Sequence, residues 1–374
     1  MRIGIDACNI RMGGGLTHLA EILANGNPSH NGISTIFVWS SHATLEKLPD
    51  REWLVKRSHP LLNKTFIHSF IFQLFYISFL AKKDGVNLMF VPGGTFLGSF
   101  PNIVSMSQNM LPFESAERNR YPHFFSKLKF FLLKITQTYT FRKSQGVIFL
   151  TDYAKSVIAK DLGLKIRTAV ISHGINPLFL QKPKLQKSVQ DLHISAPFRF
   201  LYVSIVTVYK HQWNVAEAIL KLREEGWPVV LDLVGTHTQE SLEKLNKILG
   251  QDQFNCINYL GLIDYENLSQ IYKSADGFIF ASSCENQPII LIEAMTAGLP
   301  IASSDMGPMP EVLKEAGFYF NPLDVESIYE TLKEFLNNKE ARQEKSLLGY
   351  ESSLHYTWKD CAQKTFKFLS QFTT

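Results

Sequence analysis

Glu285 and Glu293 are the residues in this chain whose type and spacing most clearly suggest chemistry. They are separated by seven residues in the run A-S-S-C-E-N-Q-P-I-I-L-I-E-A-M-T-A-G-L-P-I, which covers positions 281–301. Carboxylates accept hydrogen bonds from hydroxyl groups. The free amides at the start of a helix favour an anion such as phosphate. A ligand that carries both phosphate and sugar, such as a nucleotide sugar, would satisfy both features.

The elements around the two glutamates are predicted to place them at one edge of a sheet. The run G-F-I-F-A-S at 277–282 is typical of a buried strand. Pro288 stands where a helix can begin, because proline at the first helical position loses no hydrogen bond. Residues 289–297 are then a short apolar helix that ends before Gly298 and Pro300. One carboxylate therefore follows a strand and the other lies on the next helix, at the edge where open α/β sheets bind ligands.

The same alternation of strand and helix runs through the whole chain of 374 residues. Strands are predicted at 2–6, 34–39, 86–91, 102–107, 146–150 and 168–172, and again at 198–205, 229–235, 257–261, 277–282 and 300–305. Helical patterns lie at 16–25, 66–81, 121–143, 152–162, 213–225, 239–249, 265–274 and 289–297, with late helical segments at 324–350 and 357–371. We expect an α/β fold of two Rossmann-like domains that face each other across a cleft.

The domain boundaries follow from a polar, lysine- and proline-rich stretch at 181–197, which is typical of a linker. It separates an N-terminal domain at 1–180 from a C-terminal domain at 198–356. Four scattered cysteines (Cys8, Cys256, Cys284 and Cys361) contain no C-x-x-C pair, so they indicate neither a disulfide framework nor a zinc site. The scattered cysteines predict a cytoplasmic protein, as does the N-terminal segment, whose apolar run is too short for a signal peptide. No cofactor and no metal is predicted.

The net charge of +4 hides an asymmetry between the two halves. Residues 1–176 contain 20 Lys and Arg against 10 Asp and Glu, whereas the remainder contains 18 and 24. A basic half of this kind indicates a polyanion, either nucleic acid or an anionic membrane. The chain lacks the motifs of RNA-binding modules, so we predict no nucleic-acid partner.

The basic charge is concentrated in residues 119–146, which hold six basic residues and no acidic residue. Lys127, Lys129 and Lys134 alternate there with phenylalanines and leucines, as in helices that lie in a membrane interface. An ordinary helix with one core face and one solvated face explains the pattern equally well. The apolar run at 66–81 is shorter than the ~20 residues that a spanning helix needs.

The C-terminal half resembles the retaining glycosyltransferases of family 4, which have the GT-B architecture. The resemblance is carried by L-Y-V-S-I-V-T-V-Y-K-H at 201–211, L-V-G at 233–235 and the long signature at 260–301. In the N-terminal half, G-G-G-L-T-H-L at 13–19 is similar to the family's glycine-rich loop, and V-I-S-H-G-I-N at 170–176 to the segment that closes its first domain. The resemblance also implies that the C-terminal helix, 357–374, packs back on the N-terminal domain.

Two positions depart from the family pattern. Ile205 stands where members often have an arginine, five residues before the loop lysine. Gln108 and Asn109 stand where many members have a histidine that faces the donor sugar. These two residues are predicted to lie on the side of the site that holds the acceptor and the donor sugar.

The resemblance assigns roles to the remaining candidates. Lys210 neutralises the donor pyrophosphate, Glu293 binds the ribose hydroxyls, and Glu285 contacts the donor sugar; a surface lysine and ordinary helix carboxylates are the structural alternatives. Further donor-binding candidates are Gly13, Gly14, Gly15, Asn286, Gln287, Pro288, Ile289, Gly235, Gly261 and Leu262. For the glycines the alternative is a plain turn. His18 and His173 are kept out of the catalytic set, because a core histidine is the more common outcome.

The function that follows is retaining, metal-independent hexosyl transfer from a UDP- or GDP-linked sugar to a hydroxyl of a glycan or a lipid-linked glycan. Cell-surface polysaccharide biosynthesis, such as that of lipopolysaccharide O-antigen, fits a protein on the inner face of the membrane. A GT-B sugar-nucleotide epimerase and a non-catalytic nucleotide-sugar-binding scaffold remain alternatives. The base, the sugar, the acceptor and the oligomeric state are left open by the sequence.

Overall fold

A computed structural model describes residues 1–372 and divides the chain into two compact units. Unit 1 is formed by Met1–Gly174 together with the segment that begins at Tyr356, and unit 2 is formed by Ile175–His355. The last two residues of the predicted C-terminal helix, 357–374, lie outside the described residues.

Unit 1 is built on a seven-stranded parallel sheet with the order β3-β2-β1-β4-β5-β6-β7. Its strands are β1 (Arg2–Asp6), β2 (Thr35–Trp39), β3 (Leu54–Arg57), β4 (Leu88–Val91), β5 (Ile103–Met106), β6 (Gly146–Phe149) and β7 (Arg167–Val170). The inner strands β4, β5 and β6 are buried along their whole length, as strands covered by helices on both faces must be.

Helices cover both faces of this sheet. They are α1 (Gly13–Asn25), α2 (His42–Leu45), α3 (Phe66–Phe72), α4 (Ser78–Lys83), α5 (Ser115–Asn119), α6 (Phe124–Lys143), α7 (Asp152–Leu162) and α15 (Trp358–Leu369). One core joins α1 and α15 to the sheet, and a second core joins the segment around α3 and α4 to the other face. A π-helical turn, Gln73–Ile77, connects α3 to α4.

Unit 2 is built on a six-stranded parallel sheet with the order β10-β9-β8-β11-β12-β13. Its strands are β8 (Phe198–Val203), β9 (Val229–Val234), β10 (Ile257–Gly261), β11 (Gly277–Phe280), β12 (Ile301–Ser304) and β13 (Gly317–Phe320). Its helices are α8 (Gln212–Glu224), α9 (Gln239–Leu249), α10 (Tyr265–Ser274), α11 (Ile289–Thr296), α12 (Met309–Leu313), α13 (Val325–Asn337) and α14 (Lys339–Ser353).

Two parallel, doubly wound sheets confirm the predicted fold class. The structure adds two strands that the pattern did not predict, β3 and β13, and both are short strands at the edge of their sheet. The predicted start of α1 at residue 16 is wrong, because the helix begins at Gly13 and includes the glycine triplet. Asn338 divides the late helical segment, since its side chain accepts a hydrogen bond from the amide of Ala341 at 2.9 Å and caps α14.

The predicted linker, residues 181–197, is packed within unit 2. The buried guanidinium of Arg342 donates hydrogen bonds to the carbonyls of Lys187 at 2.6 Å and Phe335 at 2.5 Å. A Cβ on Gly298 would lie 2.7 Å from the carbonyl oxygen of Gln181, so this glycine is needed for the close approach. These contacts hold the first part of the stretch against α14 and the end of α11.

Candidate functional site

The candidate site of unit 2 lies where β8 and β11 end. These two strands are neighbours, and the strand order reverses between them, because β9 and β10 continue on one side and β12 and β13 on the other. The helices that follow two such strands leave on opposite faces of the sheet and open a crevice between their first turns. The loops that reach this edge are residues 204–211 after β8 and residues 281–288 after β11.

Lys210 and Glu285 meet in this crevice. The Lys210 ammonium forms an ion pair with Oε1 of Glu285, and their side chains are only 5% and 15% exposed. The ammonium also lies 4.9 Å from the centre of the Phe280 ring and 5.3 Å from that of Tyr209. The Tyr202 hydroxyl donates to the Lys210 carbonyl at 2.6 Å and fixes the loop. A mutually neutralised pair at a sheet edge is a site where an incoming phosphate can replace the carboxylate as the partner of lysine.

Two helices begin beside this pair without a side-chain cap or an acidic first turn. The side chains of the two N-cap residues, His211 for α8 and Pro288 for α11, form no capping hydrogen bond. His211 precedes α8 in a left-handed conformation with φ of 50°, and its Nε2 lies 2.8 Å from Oγ of Ser283. The amides at such a helix start carry partial positive charge, which favours an anion.

Glu293 is buried on α11 and differs in its electrostatics from Glu285. Its side chain is 7% exposed, and the Tyr272 hydroxyl donates to its Oε2 at 3.1 Å. Burial raises the pKa of Glu293 to about 7, against the opposing effect of the Tyr272 hydrogen bond. Burial and the neighbouring carboxylate raise the pKa of Tyr272 well above its usual range, so this hydroxyl remains a donor.

The other candidates of unit 2 fall around the same edge. Asn286, Gln287 and Pro288 are buried in the loop before α11, and the carbonyl of Pro288 accepts the amides of Leu291 and Ile292. Pro288 therefore precedes the helix, and α11 begins at Ile289, where the apolar helix is predicted to start; it ends at Thr296, one residue before the predicted end.

Gly235 follows β9, Gly261 is the last residue of β10, and the two glycines contact each other. The Gly235 amide donates to the Gly261 carbonyl at 2.8 Å. A Cβ on Gly235 would lie 2.1 Å from the Ser204 carbonyl oxygen, and its φ is 141°, so packing alone requires glycine there. Gly261 has φ of 68° and open space around it, and Leu262 beyond it is 72% exposed.

In unit 1, the glycine triplet lies at the equivalent edge, after β1. Gly14 has no atom within 4 Å of the place where a Cβ would be, and its φ is not in the left-handed region. A Cβ on Gly15 would lie 3.3 Å from Oε1 of Gln108. The structure thus brings together Gly15 and Gln108, while Asn109 accepts the amide of Leu111 at 3.0 Å in a turn.

His18 and His173 form a buried stack with ring centres 4.6 Å apart, next to the Trp358 ring. Burial lowers the pKa of His18 to about 3, and burial together with His18 lowers the pKa of His173 well below its usual range. Both rings are therefore neutral near pH 7, as core residues.

The three candidate lysines of α6 differ in their surroundings. Lys127 and Lys129 are exposed, whereas Lys134 forms an ion pair with Asp161 at 3.0 Å. Around them α6 exposes large apolar side chains, among them Phe124 at 71% and Phe125 at 81%. An ordinary helix with a single buried apolar face does not have this distribution.

Sequence reasoning did not single out Asp6, at the end of β1. It accepts hydrogen bonds from the Cys8 amide at 3.1 Å and from Nε2 of Gln73, in the π-helical turn, at 2.5 Å. Burial raises the pKa of Asp6 to about 6. The sequence feature that could have identified Asp6 is a carboxylate at the end of the apolar run R-I-G-I-D. No sequence feature pointed to Tyr272, the partner of Glu293.

The described helices include none whose length and hydropathy would let it cross a membrane. Within residues 1–372, His, Cys, Asp and Glu side chains do not gather in groups of three or more that could hold a metal ion.

The raised pKa of Glu293 predicts a measurable dependence of stability on pH. Between pH 4.5 and about 7 the folded state holds a proton that the unfolded state has lost, so the free energy of unfolding decreases as pH rises. Relative to Glu293→Gln, the wild type should lose up to about 3 kcal/mol across this window, at about 1.4 kcal/mol per pKa unit. Urea unfolding followed at several pH values measures this difference. A constant difference across the window would contradict a raised pKa, and Tyr272→Phe should move the upper limit of the window to higher pH.

Comparison with known proteins matches one region of the chain to a family. Residues 186–346 match the family described as "Glycosyl transferases group 1". The chain is 32% identical over 111 residues to sulfoquinovosyl transferase SQD2 of Arabidopsis thaliana, covering 28% of this chain and 22% of that protein. It is 29% identical over 109 residues to O-antigen chain mannosyltransferase B of Escherichia coli, covering 29% of each chain. The matched region is thus less than a third of the length of either relative.

The whole chain is similar in fold to solved structures. Anabaena Alr3699/HepE, solved in complex with UDP, matches with a TM-score of 0.72 at 16% identity and covers 99% of both chains. At that identity the likeness concerns the fold, whereas the matched region at 186–346 concerns the family. Residues 186–346 match the group 1 glycosyltransferase family, and the whole chain has the GT-B fold, as the sequence predicts.

Proposed function

We propose that this protein is a retaining glycosyltransferase that moves a sugar from a nucleotide-diphosphate sugar to a hydroxyl of a glycan or lipid-linked glycan. The observation that carries the proposal is the Lys210–Glu285 pair, which lies at the strand-order reversal of unit 2 beside two uncapped helix starts. In this proposal unit 2 binds the donor and unit 1 binds the acceptor. The family match of residues 186–346 and the UDP bound by HepE support a nucleotide donor.

In this proposal, different residues of unit 2 bind different parts of the donor. Lys210 and the first amides of α8 and α11 hold the pyrophosphate and stabilise its charge as it leaves. Glu285, released from the lysine, faces the sugar with Asn286 and Gln287. Glu293 accepts the two ribose hydroxyls. Its pKa of about 7 means that binding as a carboxylate competes with protonation.

The transfer step requires no assigned base. The bond between the anomeric carbon and the phosphate oxygen breaks, and a bond from the acceptor oxygen to the same carbon forms on the same face. The acceptor proton passes to the departing phosphate oxygen. The metal-independent character of this scheme rests on Lys210 and the helix amides, which supply the positive charge that the leaving pyrophosphate needs.

Unit 1 fits an acceptor that is presented at a membrane. Its α6 exposes Lys127, Lys129 and a row of large apolar side chains, a combination that binds anionic interfaces. The relative named O-antigen chain mannosyltransferase B supports a role in cell-surface polysaccharide synthesis. We therefore propose that the protein works on the cytoplasmic face of the membrane.

Substitutions of Lys210 and Glu285 test the catalytic assignment. Lys210→Ala should lower kcat for transfer by about 100-fold or more, because a preorganised charge on the leaving group is lost. Glu285→Gln should lower kcat by a similar factor, while each variant retains a cooperative thermal transition. The measurement is sugar transfer from UDP-glucose or GDP-mannose to a panel of glycan acceptors, with donor consumption followed in parallel.

A matched control is Lys221→Ala, which breaks the exposed ion pair between Lys221 and Glu326 in the same unit and should leave kcat unchanged. Transfer by Lys210→Ala within threefold of wild type would remove the catalytic role. Donor conversion without any acceptor would instead identify an epimerase. Donor binding with no turnover in the wild type would identify a binding scaffold.

Gly14→Ala separates a ligand role of the glycine triplet from a turn role. The added Cβ meets nothing within 4 Å and replaces a helical glycine, so the variant should be as stable as wild type or more stable by up to about 1 kcal/mol. If a phosphate or sugar approaches this backbone, kcat/KM should nevertheless decrease by about tenfold or more. Unchanged kcat/KM in a stable Gly14→Ala protein favours a purely structural role for the triplet at the start of α1.

The membrane proposal is tested on the two lysines that lack an ion-pair partner among the described residues, Lys127 and Lys129. Because each contributes about 1 kcal/mol near an anionic surface, Lys127→Glu/Lys129→Glu should weaken binding to phosphatidylglycerol liposomes by roughly thirtyfold. Lys244→Glu/Lys247→Glu, on α9 of unit 2, makes the same change in charge on another exposed helix. Equal loss in both proteins, or no loss in the first, argues against a membrane-facing α6.

A further inference from the structure

Unit 1 contains an apolar cavity of about 750 Å³ that the donor site does not use. Its walls are formed by Phe66 and Phe70 of α3 and by Phe125, Leu128 and Leu132 of α6. A volume of this size is typical of pockets that hold one small ligand or one ligand chain. The mostly apolar lining favours a hydrocarbon over a sugar as the occupant, because a sugar needs a hydrogen-bond partner for nearly every hydroxyl.

The inner wall of the cavity reaches the sheet edge. Asn9 follows β1, whereas Gly93 and Thr95 follow β4, and the strand order of unit 1 reverses between these two strands. Oγ1 of Thr95 and Oδ1 of Asn9 are buried and have no hydrogen-bond partner among the described residues. Thr95 is 7% exposed, and its carbonyl accepts a hydrogen bond from Nε2 of Gln73 at 3.2 Å. The apolar cavity therefore ends in polar atoms, in the loops that follow β1 and β4.

The outer part of the cavity opens among exposed apolar helices. The segment from α3 to α4 exposes Ile67 at 69%, Phe75 at 72% and Phe79 at 67%, in addition to the apolar side chains of α6. Lys129 is exposed and lies in the cavity lining. An apolar surface of this extent matches the hydrocarbon part of an amphiphile.

We propose that this cavity holds the hydrocarbon chain of a lipid-linked acceptor, with the polar end of that acceptor at Asn9 and Thr95. This inference rests on the proposed function and specifies the acceptor class of unit 1. The direction of the ligand follows from the two ends of the cavity. The apolar end joins the exposed helices, and the polar end lies in the loop that leads from β1 to the glycine triplet. The headgroup of a bulk membrane lipid would instead remain at the membrane surface, outside the protein.

Gly93 allows the cavity to be filled without disturbing the backbone. Its φ is outside the left-handed region, and a Cβ there would lie 3.9 Å from the Ile10 side chain, which is ordinary contact. Gly93→Leu should therefore fold and project a branched side chain into the cavity, whereas Gly93→Ala should fill little of it. A second pair uses α6, where Leu132 lines the cavity and Phe131 does not, with similar exposures of 52% and 54%.

The experiment measures binding of farnesyl phosphate, used below its micellar concentration, to the full chain without donor. We expect saturable binding that weakens about tenfold or more in Gly93→Leu and in Leu132→Glu, and that is unchanged in Gly93→Ala and Phe131→Glu. Inorganic phosphate and lysophosphatidylglycerol are the comparison ligands, and both should bind more weakly than farnesyl phosphate.

Equal binding of farnesyl phosphate by all four variants overturns the inference. Tighter binding of lysophosphatidylglycerol also overturns it, because the cavity would then hold bulk membrane lipid. The result is independent of turnover, since Lys210→Ala should bind farnesyl phosphate as wild type does. Loss of transfer in the cavity variants for a lipid-linked acceptor, with transfer to the lipid-free glycan retained, gives the functional readout.

Discussion

In a doubly wound parallel sheet, every strand ends at the same edge, and the order of strands can reverse only where two neighbouring connections leave on opposite faces. This constraint decides where each unit can hold a ligand. In unit 2 the reversal falls between β8 and β11, and the loops after these strands carry Lys210 and Glu285. In unit 1 it falls between β1 and β4. The loops after these strands carry the polar end of the apolar cavity, and α1, which follows β1, begins with the glycine triplet. Residues distant in the sequence meet because of this topology.

The electrostatics of unit 2 suit a site that changes partner during a reaction cycle. A buried ion pair adds little to stability, because the cost of removing both charges from water offsets their attraction. The Lys210–Glu285 pair is therefore poorly explained as a structural element. Glu293 likewise has a pKa raised by burial, which is unfavourable for the free protein near neutral pH. A ligand that brings phosphate to the lysine and hydroxyls to the carboxylates would satisfy all three groups at once.

The extent to which the sequence predicted this structure depends on the kind of signal. Apolar strands such as β4, β6 and β8 were predicted because burial on both faces leaves near-continuous apolar runs. The edge strand β3 was not predicted, because its residues are half-exposed and its apolar pattern is weak. Lys210 and Glu285 were identified as candidates from their motifs. Their contact depends on which strands are neighbours in the sheet, and no local sequence pattern predicts that strand order.

The features of unit 1 were the least predictable. The apolar residues at 66–81 and in α6 indicated buried or membrane-facing helices, but the cavity between them is a product of tertiary packing. Asp6 and Gln73 are 67 residues apart and meet because the π-helical turn directs Gln73 toward the end of β1. A π-helical turn has no reliable sequence signature, so neither the contact nor the cavity could be inferred before the fold was known.

The return of the chain to unit 1 at Tyr356 has a consequence for biosynthesis. Unit 2 is a continuous insertion, and the ribosome completes it before α15 is made. Trp358, Phe366 and Leu369 belong to the first core of unit 1, together with Ile3, Ile5 and Leu19. During translation this core lacks α15 while unit 2 is synthesised. Its apolar residues are then exposed and can bind chaperones. Unit 2 can thus reach its native state first, although it is encoded second.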